Sequence, residues 1–132
     1  MMLTAARTTT MLPVTDPERA GRFYADQLGL KALGVQPDGT RMFELGQGDG
    51  LGLMPAETGA QSAHTVLTFE VPDLDAEVVD LEGRGVRFED YDLPDLKTEN
   101  HIAVMGDERA AWFHDSEGNV LCVHEVVTAR RR

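Results

Sequence analysis

The chain has 132 residues, enough for one compact domain with a core of its own. With 42% apolar and 27% charged residues, its composition is globular and excludes a disordered body. The net charge of −11, from 23 acidic and 12 basic residues, argues against a nucleic-acid partner, because phosphate binding needs a clustered basic surface.

The one basic run, Arg130-Arg131-Arg132, reads as a frayed terminus. Cys122 is the only cysteine, which excludes an intrachain disulfide and a thiolate metal cluster. Residues 1–7 lack the apolar stretch of a signal peptide, and no apolar run approaches the ~20 residues that cross a bilayer. The expectation is a cytoplasmic protein with no membrane partner.

In chain order, the first element is a strand over 9–14, where residues alternate before reaching Val14, Thr15 and Asp16. Asp16 is a good N-cap and Pro17 suits the first helical position. Ala20, Phe23, Tyr24 and Leu28 follow at helical spacing, and Gly29 is placed for a left-handed stop. Three short strands are expected next, at 31–35, 40–45 and 50–54. Pro37-Asp38-Gly39 and the glycine-rich run 46–50 supply the turns.

The pattern then repeats. Residues 66–73 alternate and again end in Val71, one linker residue and Asp73. A helix with the stripe Leu74, Val78 and Leu81 runs to Gly85, weakened by Gly83. Strands are expected at 86–90, 110–114 and 119–126. A polar insertion, 91–107, separates the first two and carries a short strand at 102–105. Such internal self-similarity marks a duplicated supersecondary unit. The reading is α+β: two tandem βαβββ modules forming a cupped mixed sheet, with helices on the outer face. Module one spans about 7–57, a linker 58–63, module two about 64–127 and a tail 128–132. A helix covers only one face of each sheet, so the other face must meet its twin, a second subunit or a ligand.

These residues resemble the vicinal oxygen chelate superfamily, which includes glyoxalase I, extradiol dioxygenases, fosfomycin-resistance enzymes and bleomycin-binding proteins. The resemblance rests on Met11-Leu12-Pro13-Val14-Thr15-Asp16-Pro17 with Phe23-Tyr24 and Leu28-Gly29-Leu30. It rests also on Val71-Pro72-Asp73-Leu74-Asp75-Ala76, on Gly85-Val86, and on Trp112-Phe113-His114-Asp115-Ser116-Glu117-Gly118-Asn119. It covers about residues 7 to 127. Metal-dependent members place a His, Gln or Glu at four strand positions, which correspond here to Thr9, Gly52, Val66 and Cys122. None of these is a His or a carboxylate, and one thiolate does not hold a divalent ion. The resemblance therefore implies no metal site at those positions, and no cofactor is expected.

Alternation sorts the strands into two faces. Leu12, Val14, Phe43, Leu45, Leu51, Leu53, Leu67, Phe69, Val71, Ala111, Phe113, Leu121 and Val123 form an apolar set suited to pack beneath the helices. The opposite set mixes soft, aromatic and polar groups, as ligand cavities do. From it come the candidate ligand-binding residues Thr9, Met42, Glu44, Gly52, His64, Val66, Thr68, Trp112, His114, Cys122 and His124. Trp112, the only tryptophan, suits a planar or cationic ligand, or equally a module or subunit boundary. Glu44, His114 and Cys122 are the candidate catalytic groups, because a histidine beside a carboxylate handles protons and an activated thiol attacks electrophiles. A solvated histidine and an inert buried thiol are the commoner cases. His101, in the insertion, reads as a loop residue.

The function expected from this pattern is a metal-independent small-molecule-binding protein, a homodimer in keeping with the resemblance. The alternative is a lyase, isomerase or dioxygenase-like enzyme acting on a small molecule in the same hollow.

Overall fold

The computed structural model of this protein describes residues 2–126; the expected tail at 128–132, with its three arginines, lies outside the described residues. The chain forms two compact units, residues 1–62 and 63–132.

In the first unit β1 (Thr9–Val14) lies parallel to β4 (Gly50–Pro55), which pairs antiparallel with β3 (Arg41–Glu44), and β3 with β2 (Lys31–Val35). The sheet order is β1-β4-β3-β2. Asp16 caps α1 (Pro17–Arg22) by accepting from the Arg19 amide at 3.1 Å, a bond of about 1 kcal/mol in typical helices. The expected helix does not stay regular. From Phe23 to Gln27 it widens into a π-helical turn, then stops at Gly29, whose φ of 74° needs a residue without a Cβ. Tyr24, fully buried, meets Phe23 edge-on and Phe43 at 6.2 Å, fastening the helix to β3. Leu12, Val14, Phe43, Leu51 and Leu53 are buried beneath it.

The second unit repeats the order as β5-β10-β9-β8, with β5 (Thr65–Glu70) parallel to β10 (Val120–Val126), and β9 (Glu108–His114) and β8 (Ala103–Met105) antiparallel. Asp73 caps α2 (Leu74–Gly83), whose Leu74, Val78 and Leu81 are buried. Two side chains tie its start to the sheet. Glu125 of β10 accepts from the Leu74 amide at 2.7 Å, and Arg109 of β9 makes a bidentate pair with Asp75 at 2.9 and 3.0 Å. These odd-numbered residues fix which sheet face lies under α2, and Ala111, Phe113, Leu121 and Val123 are buried on that face.

The strand expected at 86–90 does not form. Phe88 makes one isolated bridge to Phe113, and the Glu89 amide bonds the Trp112 carbonyl at 2.8 Å. The rest of that edge position is taken by β8, from inside the insertion, which pairs with residues 108–110. Two segments thus share the edge of β9, one at each end. Between them the chain makes a small hairpin, β6 (Asp92–Leu93) with β7 (Leu96–Lys97). His101 is more than a loop residue. It stacks on Phe88 and stands between Glu82 and Asp90, at 3.1 and 3.0 Å, with a positive φ of 75°.

Candidate functional site

The helix-free face of the second sheet gathers most of the candidate groups. Cys122 lies in register with Trp112 on one side and Thr68 on the other, so these three side chains share this face. The register carries a bulge. Val120 pairs with Thr65 but Leu121 pairs with Leu67, which leaves Val66 as the extra residue. Thr65 therefore stands beside the indole and accepts from Trp112 Nε1 at 3.2 Å. A bulge has no signature in strict alternation, which is why sequence reasoning missed Thr65.

Tyr91 is the second residue missed. It comes from the insertion and meets Trp112 edge-on, ring centroids 5.7 Å apart at 85°. The two rings make a half-exposed aromatic corner. Burial raises the Tyr91 phenol pKa, and the negative charge of Glu89 adds to the rise. Cys122 is 5% exposed, and burial likewise pushes its thiol up, with a hydrogen bond from Thr68 working in the opposite direction. A thiol held protonated in this way is a poor nucleophile.

Two histidines at this face have polar partners. His124 Nδ1 shares a 2.8 Å hydrogen bond with Thr68 Oγ1, and its Nε2 stands 3.7 Å from Glu70. His114 donates from Nδ1 to Glu89 at 2.9 Å. The carboxylate beside His114 is thus Glu89, while Glu44 pairs with Lys31 at 3.8 Å within the first unit. His64 is exposed, its Nδ1 3.2 Å from the Thr65 carbonyl.

The helix-free face of the first sheet carries Thr9, Met42, Glu44 and Gly52. Gly52 is buried and roofed by Met11: a Cβ there would stand 2.6 Å from the Met11 sulfur and 3.2 Å from Thr40 Cγ2. Thr9 crosses over Gly50 in the same manner. The donor set does not fit the metal centre that the resemblance brings to mind. Thr9, Gly52, Val66 and Cys122 offer one protonated thiol among them, and among the described residues no three His, Cys, Asp or Glu side chains converge as a metal site would need.

Comparison with known proteins agrees with this architecture. Residues 7–123 match the model of the Glyoxalase/Bleomycin resistance protein/Dioxygenase superfamily, and the chain belongs to that family. No curated protein matches it. Among solved structures it is similar to TnmS3, an antibiotic binding protein from Streptomyces sp. CB03234, at 23% identity and a TM-score of 0.65, covering 96% of this chain and 99% of that one. A superfamily member from Sphaerobacter thermophilus DSM 20745 gives 22% and 0.71, covering 94% and 99%. The fosfomycin resistance protein FosX from Listeria monocytogenes, complexed with Mn(II) and sulfate, gives 15% and 0.67, covering 95% and 91%. At these identities the likeness concerns the fold.

Proposed function

We propose that this protein binds a small molecule without a divalent metal, holding it on the helix-free face of the second sheet. The observation that carries the reading is the corner of Trp112 and Tyr91, edge to face and half exposed beside polar groups. A planar ligand would lie on the indole, with Thr65, Thr68 and His124 as hydrogen-bonding neighbours. Glu89 and Glu70 bring negative charge nearby, which favours a ligand with a cationic substituent. The absence of His or carboxylate at Thr9, Gly52, Val66 and Cys122 supports metal independence, and the likeness to an antibiotic binding protein is in keeping with sequestration. The protein is proposed to act in the cytoplasm as a homodimer.

Titration of Trp112 fluorescence against a panel of planar cationic compounds tests the reading. Saturable quenching at one ligand per chain, unchanged by EDTA, is the expected result. A tight ligand that leaves the indole emission untouched would sink it.

One observation favours a second reading, an enzyme acting on the same face. His124, between the Thr68 hydroxyl and the Glu70 carboxylate, is arranged to accept a proton from a bound molecule. Turnover of a bound compound that is lost in His124→Gln would select it over stoichiometric binding.

A further inference from the structure

The helix-covered side of the first sheet holds a second feature of interest, remote in sequence from the aromatic corner. Between α1, its π-helical extension and the strands β2 and β3 lies a groove of about 340 Å³. Its wall is a helical stripe of Glu18, Gly21, Arg22, Ala25 and Asp26. Ala32, Val35, Arg41 and Phe43 line it from the sheet.

Arg41 is the anomaly. By register it belongs with Phe43, Leu51 and Leu53, a set otherwise apolar, so a cation has been placed under a helix. Its Nε is buried and has no hydrogen-bond partner among the described residues. A buried donor left unmade destabilises the fold. The helix is shaped around this side chain. A Cβ at Gly21 would stand 3.1 Å from Arg41 Cδ, and glycine in mid-helix is itself unfavourable against alanine. Two more irregularities border the same groove: the π-turn at Ala25 and Asp26, and a break in the β2 register between Ala32 and Gly34. That break brings both Ala32 and Val35 onto the groove side, opposite Phe43 and Arg41. Four local irregularities converging on one groove call for a compensating partner.

We infer that this groove binds a free α-amino acid or a molecule ending in one. The guanidinium supplies a fork for the carboxylate. The helical wall presents Glu18 and Asp26 beside Arg22, so an ammonium next to the bound carboxylate finds carboxylates to pair with that a simple anion cannot use. Ala25, Ala32, Val35 and Phe43 suit an aliphatic side chain, and the volume accommodates a leucine.

Amide-resolved NMR titration with L-leucine tests this, alongside 4-methylpentanoate, which lacks the amine, and 3-methylbutylamine, which lacks the carboxylate. Leucine should shift the amides of Gly21, Ala32 and Gly34 and bind at least roughly tenfold more tightly than either analogue. Arg41→Gln should abolish these shifts. Gly21→Ala, which favours the helix but presses on Arg41 Cδ, should weaken leucine binding relative to the parent chain. Equal binding of 4-methylpentanoate and leucine would overturn the zwitterion assignment. No shift at these amides up to about 10 mM leucine, the weak end of specific affinity, would overturn the site.

Discussion

Trp112 donates its indole N–H to Thr65 across 3.2 Å, and the bond exists only because β5 carries one residue more than its partner strand at that point. In an unbulged strand Val66 would occupy the place and the indole N–H would face a methyl group. The bulge thus converts an apolar neighbour into a polar one and anchors the ring in a fixed plane.

Removing the ring should therefore affect recognition more than folding. Trp112→Leu is expected to weaken any ligand that quenches the indole by about fivefold or more, the equivalent of ~1 kcal/mol of aromatic contact. Calorimetry reads this, because the fluorescent reporter is gone in the variant. An unchanged affinity would remove Trp112 from the site.

The pair of Arg109 and Asp75 predicts an acid-side loss of stability. The hydrogen bond from Arg109 holds the Asp75 carboxyl below its ordinary value of 3.8. The unfolded chain then binds more protons than the folded one in the interval between the two values. The contribution is present above that ordinary value and is lost as pH falls below it. Urea midpoints measured from pH 6 down to about pH 3 should fall less steeply in Asp75→Asn than in the parent chain. Parallel profiles would show that the pair does not couple to folding.

Asp115 closes the turn between β9 and β10. It is buried and accepts from the amides of Glu117 and Asn119, at 2.8 and 2.9 Å, and from the Asn119 side chain at 2.9 Å. Asp115→Ala strands these donors in or near the interior and should cost about 3 kcal/mol of stability, read as a lower urea midpoint. A loss below about 1 kcal/mol would mean that water replaces the carboxylate.

Burial holds the Cys122 thiol above its ordinary range, so iodoacetamide at neutral pH should modify the folded protein far more slowly than the urea-unfolded chain. Mass spectrometry follows the reaction. Equal rates would show that the thiolate is accessible and reactive.

The duplicated βαβββ plan was legible in the chain because it leaves repeated marks: a capping aspartate, a helical stripe, a stopping glycine, an alternating strand. Asp16 and Asp73 cap their helices, and Phe113 and Leu121 lie under α2 while Trp112 and Cys122 lie opposite. What escaped has a common cause. The bulge at Val66, the π-turn after Arg22 and the bridge at Phe88 are each one-residue departures from a period, and a periodic pattern cannot display its own interruptions. Tyr91 and Glu89 were hidden for another reason. They reach Trp112 and His114 from a segment whose path is set by tertiary contacts and not by local alternation.

The shared edge of β9 also says how such a chain can diversify. Phe88 and Glu89 secure one end of the strand and β8 the other, so the residues strung between them are moored at both ends without pairing with β9 themselves. A graft or deletion there would leave every pairing of β5, β9 and β10 in place while exchanging the ring that leans on Trp112. New ligand preferences could then arise by rewriting one peripheral loop, with the foundation of the unit left untouched.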